Sequence, residues 1–144
     1  MPEHVMTELR LLVIDDDPKI TALVAQVAEE MNFIVRAVCD NEAVFAYHDF
    51  KPDVIVLDIV MPQMDGFEIL QFLKEQKSTA TVVILSGSYD FYLRMADHLA
   101  SALRVPIHTH LHKPFRIHEL RRILRDIQLL HATPVKRTRK APAN

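Results

Sequence analysis

The chain has 144 residues, 49% of them apolar and 25% charged, with a net charge of −2. That apolar share excludes a disordered chain and suffices for one domain with its own core. The charge balance excludes a general affinity for nucleic acid, although Lys136, Arg137, Arg139 and Lys140 gather in the last stretch, His131 to Asn144. A single cysteine, Cys39, leaves no internal disulfide framework and fits a reducing compartment. Met1 to Arg10 lacks the apolar core of a signal peptide, and no apolar run approaches the length of a membrane helix. These features predict a soluble, cytoplasmic protein without membrane contact.

In chain order, Leu9 to Ile14 reads as a first strand that runs into Asp15-Asp16-Asp17-Pro18. Asp17 caps a helix with Pro18 at its first position, and Ile20, Leu23, Val24, Val27, Ala28 and Met31 give it one apolar stripe. Phe33 to Val38 is a second strand. A short helix starts at Asp40 and runs to about Tyr47. Lys51-Pro52-Asp53 turns into a third strand, Val54 to Leu57, whose apolar run ends on Asp58. Met61-Pro62 forces a turn, and Asp65 then caps a third helix that runs to about Gln76, with Glu68 at the capping-box position. Thr81 to Leu85 is a fourth strand ending at Ser86. A fourth helix presents Leu93, Ala96, Leu99, Ala100 and Leu103, and Ile107 to Leu111 is a fifth strand. After Pro114, Ile117, Leu120, Ile123, Leu124 and Ile127 mark a last helix, whose other face carries Arg116, Arg121, Arg122 and Arg125.

Strands and helices alternate throughout, so right-handed crossovers predict a parallel five-stranded sheet with helices on both faces. Residues 1–8 are an N-terminal extension, 9–130 the single domain, and 131–144 a basic, disordered tail. A carboxylate is not tolerated deep inside a buried strand, so Asp58 belongs at the strand's carboxyl end, where open α/β sheets bind ligands. Asp15 and Asp16 end the first strand, and adjacent parallel strands would bring them to Asp58. Carboxylates about 4 Å apart repel by about 4 kcal/mol at a protein surface. Either protons or a cation must offset that repulsion, and an all-oxygen acidic site suits Mg²⁺. Ser86 and Lys113 end the fourth and fifth strands. A metal, an ammonium and a hydroxyl around one carboxylate make a phosphoryl-binding site.

Leu12 to Pro18, Leu57-Asp58 with Met61-Pro62 and Asp65-Gly66, Ile84 to Gly87, and Lys113-Pro114-Phe115 together closely resemble the receiver domain of two-component response regulators. The resemblance runs in order from about residue 9 to about residue 130. It implies a flavodoxin-like doubly wound sheet with strand order 2-1-3-4-5. It implies that Asp58 is the phosphoacceptor, Asp16 a direct metal ligand and Asp15 a ligand through water. Val60 would ligate through its main-chain carbonyl. Ser86 would be the switch hydroxyl, and Lys113 would bind a phosphate oxygen beside a cis bond to Pro114. The cofactor would be Mg²⁺, with Mn²⁺ able to substitute.

The donor would be a sensor histidine kinase or a histidine phosphotransfer protein. The chain would be a switch that catalyses its own phosphorylation and slow dephosphorylation, the slowness following from Val60 and Ser88. Output would pass to an effector or a second copy through the fourth helix, fifth strand and last helix. Two other readings are a phosphorylation-independent interaction module and a haloacid-dehalogenase-like phosphatase. The latter needs an acid where Val60 stands. His108, His110 and His112 alternate, which predicts all three on one face of the fifth strand, opposite Ile107, Thr109 and Leu111. A half-exposed edge strand explains that pattern better than a transition-metal site. His110 also lies where receivers carry an aromatic switch residue. The stretch between Ser86 and Lys113 departs from receivers, being longer and having Leu103-Arg104-Val105-Pro106 without a glycine.

Overall fold

The computed structural model describes residues 4–5, 8–39, 42–59, 66–87, 94, 98–99 and 101–134. Its elements are β1 (His4–Val5), β2 (Arg10–Ile14), α1 (Pro18–Glu30), β3 (Ile34–Val38), α2 (Ala43–Phe50), β4 (Val54–Asp58), α3 (Gly66–Glu75), β5 (Thr81–Ser86), β6 (Ile107–His112), α4 (Ile117–His131) and β7 (Thr133–Pro134). Residues 94, 98–99 and 101–103, from the predicted fourth helix, are also helical. The predicted caps Asp40 and Asp65 lie outside the described residues.

Strands β2 to β6 form one sheet in the order β3-β2-β4-β5-β6, with every pairing parallel. Counted along those five strands, this is the flavodoxin-like order 2-1-3-4-5. The sheet is buried on both faces, as continuous apolar strands require. One face holds Ile55 and Leu57 against Ala43, Ala46 and Phe50 of α2 and Ile69, Leu70 and Leu73 of α3. The other holds Val54 and Val56 against Val24, Val27 and Ala28 of α1 and Leu120, Leu124 and Ile127 of α4. Each fully buried leucine or isoleucine contributes about 1.5–3 kcal/mol, so the central strands are fixed in place.

The α1 start is as predicted: Asp17 Oδ1 accepts from the Lys19 amide at 2.9 Å, with Pro18 at the head of the helix. Helix α2 continues three residues past Tyr47 to Phe50, because Phe50 is itself buried in the core. Helix α4 reaches His131, one residue beyond the expected end of the domain. His4–Val5 then pairs antiparallel with Thr133–Pro134, which joins the N-terminal extension to the residues after α4.

One expectation is corrected. The histidines of β6 do not alternate evenly, because the register shifts between Val82 and Val83: Val82 pairs with Ile107, but Val83 pairs with Thr109. A bulge turns the chain over by one residue. Ile107 therefore packs with the α2–α3 face and Leu111 with the α1–α4 face. Beyond the bulge, His110 pairs with Ile84 and His112 with Ser86, which sets both histidines on the Ser86 side of the sheet.

Candidate functional site

Strands β2 and β4 are neighbours, with Ile14 in register with Leu57. The next residues, Asp15 and Asp58, therefore emerge side by side at the carboxyl edge. Both are buried and Asp16 is exposed. Carboxylate oxygens of Asp15, Asp16 and Asp58 lie within 4.8 Å of one another. Among the described residues this is the one such cluster of potential metal ligands, so His108, His110 and His112 form none. Asp15 is held in place from both sides. Its amide donates to the Val38 carbonyl at 3.2 Å, and its Oδ1 accepts from the Asp17 amide at 2.9 Å. Asp17 thus serves both the helix start and the orientation of Asp15.

Lys113 follows β6 and reaches back across β5. Its Nζ stands 2.8 Å from Asp15 Oδ2 and 3.2 Å from Asp58 Oδ2. Its amide donates to the Ser86 carbonyl at 2.7 Å, and the bond to Pro114 is cis as expected. Burial alone would push the Lys113 ammonium down. The close contact with Asp15 and the charges of Asp58 and Asp15 outweigh it, so its pKa lies above the ordinary 10.5. The pairing with Asp15 was not foreseen from the sequence. The Asp15-to-Asp58 neighbour relation, once deduced, could have indicated it.

Ser86 ends β5 with its hydroxyl buried and without a hydrogen-bond partner among the described residues. A buried hydroxyl left unpaired costs about 1–3 kcal/mol, and such an atom at a ligand-binding edge is an acceptor's natural partner. His110 is half-buried on the same side of the sheet. Val60 and Ser88 lie outside the described residues.

Gly66 has a steric role. Its amide donates to the Ile59 carbonyl at 3.1 Å. A Cβ there would stand 2.6 Å from Ile59 Cδ1, 2.7 Å from Ile59 Cα and 3.1 Å from the Asp58 carbonyl. Only glycine lets α3 begin this close to the strand end that carries Asp58.

The acid cluster fits a small divalent cation. Its donors are all oxygen, and their charge is offset locally by one ammonium. Mg²⁺ keeps several waters and takes one or two carboxylates directly, so not all three acids need to touch it.

Comparison with known proteins agrees with this geometry. The model of the response regulator receiver domain matches residues 11–125. A chemotaxis protein CheY of Listeria monocytogenes is 36% identical over 81 residues, covering 55% of this chain and 68% of that protein. The transcriptional regulatory protein TcrA of Mycobacterium tuberculosis is 34% identical over 113 residues, covering 78% of this chain and 43% of TcrA. A response regulator from Colwellia psychrerythraea superposes with a TM-score of 0.76 at 28% identity, covering 87% of this chain and all of that one. Among the described residues no helix is long and apolar enough to cross a membrane. With the sheet order, the acid cluster and the family match in agreement, the chain belongs to the response regulator receiver domain family.

Proposed function

We propose that the protein is a phosphoacceptor switch in which Asp58 takes a phosphoryl group from a phosphohistidine on a sensor kinase or phosphotransfer protein. The observation that carries this reading is the meeting of Asp15, Asp16 and Asp58 under Lys113, which touches two of them. An Asp58 carboxylate oxygen attacks phosphorus, the donor's N–P bond breaks, and an acyl phosphate forms on the aspartate. Little covalent work falls to the protein, and positioning with charge neutralisation supplies the rate.

Lys113 neutralises charge on the transferred group while it stays anchored to the end of β5 through its own amide. The Ser86 hydroxyl, buried and unpaired, donates to a phosphoryl oxygen once one arrives. Asp16, Asp58 and the main-chain carbonyl of Val60 would hold Mg²⁺ directly, Asp15 through water, and Mn²⁺ could replace it. When bound, the ion offsets the carboxylate charge and draws the phosphoryl oxygens toward Asp58. Ser86 moving to the phosphoryl group opens space beside His110, which biases the fourth helix, β6 and α4 between two arrangements. An effector or a second copy of the chain reads that surface in the cytoplasm.

The test is incubation with acetyl phosphate and Mg²⁺ followed by intact mass measurement. A single phosphoryl adduct, absent in Asp58→Asn and in EDTA, is expected. No adduct selects an interaction module without phosphate chemistry. Many turnovers of small phosphate esters select a phosphatase.

A further inference from the structure

The opposite edge of the sheet has a charge pattern that the phosphoacceptor reading does not use. Four helices end on residues with left-handed backbone: Asn32 (φ 71°), Lys51 (φ 55°), Lys77 (φ 54°) and Arg104 (φ 61°). Glycine is the usual occupant of such positions, since any Cβ is strained there. The chain has only two glycines, neither of them at these turns. Three of the four turns carry a cation. They lead into β4, β5 and β6, which are consecutive in the sheet, so Lys51, Lys77 and Arg104 stand in a row along its amino edge.

Lys74, Lys77, Ser78 and Arg104 rim a groove of about 210 Å³ floored by Leu73, Leu103 and Val105. A second groove of about 270 Å³ carries Lys51 and adjoins the first at Ser78. Lys51, Lys74, Lys77 and Arg104 are exposed, and among the described residues none has an anionic partner. Glu75 follows Lys74 in the chain but lines neither groove. The aspartate cluster thus stands at the carboxyl edge and this row of cations at the amino edge, where Asp53 also stands with its Oδ2 accepting from the Arg10 amide at 2.9 Å.

We propose that this amino edge docks an acidic protein segment that places one aliphatic side chain on Leu73, Leu103 and Val105. Carboxylates on either side of that anchor would meet Lys74, Lys77 and Arg104. Charge complementarity gives the sign of the partner, and the apolar floor gives its class. No aromatic side chain lines the first groove, which takes the anchor, so it lacks the stacking platform that single-stranded nucleic acid uses; Tyr47 and His48 line the second. The site lies across the sheet from Asp58, so a docked segment leaves the phosphoacceptor open. The proposal does not depend on phosphorylation.

The test uses the full chain and a short fluorescein-labelled peptide of glutamates around a central leucine. Anisotropy reports affinity, and amide chemical shifts report location. Binding is expected with shifts at residues 73–78 and 103–105. It should weaken by about tenfold in Lys77→Glu/Arg104→Glu and fall as salt is raised. Lys77→Gly/Arg104→Gly is the decisive control, because glycine suits the backbone better. It should keep or raise the thermal midpoint and still lose binding. Asp58→Asn should bind as the parent does, which separates this proposal from the phosphoacceptor reading. Absence of binding, unchanged binding in the glycine pair, shifts at the carboxyl edge, an equal response to a leucine-free peptide, or tighter binding of a single-stranded oligonucleotide each overturns the proposal.

Discussion

Replacing Lys113 by methionine keeps most of the length of the side chain and removes its charge. In the parent its ammonium is 2.8 Å from one buried carboxylate and 3.2 Å from another. At an effective dielectric of about 20 those distances correspond to attractions of about 6 and about 5 kcal/mol. Taking the ammonium out of water offsets several kcal/mol of that sum. The variant also leaves the carboxylates facing one another within 4.8 Å, a repulsion of about 3.5 kcal/mol per charged pair. Breaking a buried pair of this kind typically costs about 3–5 kcal/mol, and the partial exposure of Lys113 puts the expectation at about 3 kcal/mol. Urea unfolding in EDTA measures it. The same loss deepens the negative field, so Lys113→Met should bind Mg²⁺ more tightly, and saturating Mg²⁺ should close most of the stability gap. A variant as stable as the parent in EDTA would refute Lys113 as the counter-ion. A gap untouched by Mg²⁺ would refute the three aspartates as the metal site.

Other outcomes follow from the same geometry. Ser86→Ala removes an unpaired buried hydroxyl, so the phosphate-free protein should unfold about 1 kcal/mol later in urea while the response to phosphorylation is lost. A destabilised Ser86→Ala would mean that the hydroxyl is already satisfied. Gly66→Ala drives a methyl into Ile59 and should cost about 1–3 kcal/mol and slow phosphoryl uptake, as stability curves and adduct formation rates can check. The raised pKa of Lys113 has a definite sign for stability. Its folded value lies above the unfolded one, so its contribution is complete below pH 10.5 and is lost as pH climbs through the folded value. As pH rises from neutral, the stability difference between the parent and Lys113→Met should hold until that alkaline window and shrink within it, and shrinkage near neutral pH would contradict it.

The acid cluster was legible because each of its members follows an apolar strand at the point where a charge can leave the core. Sheet order then follows from the family resemblance, and it is order that makes Asp15 and Asp58 neighbours. The bulge in β6 was not legible. Ile107 to His112 alternates apolar or small with histidine so evenly that the pattern alone predicts a regular strand. The shift shows only when Val82 and Val83 are matched to their partners. The left-handed turns at Lys51, Lys77 and Arg104 were hidden for the opposite reason. Their usual mark is glycine, and this chain places none there. The pairing of His4–Val5 with Thr133–Pro134 joins two-residue strands from distant parts of the chain, too short for any periodicity to reveal.

The most direct measurement of the central claim is reductive trapping. Borohydride cleaves an acyl phosphate and leaves homoserine in place of the aspartate, so peptide mass spectrometry after acetyl phosphate treatment names the acceptor. The account predicts homoserine at position 58 alone, dependent on a divalent cation. Homoserine at position 15 or 16, or its absence throughout the chain, would contradict it.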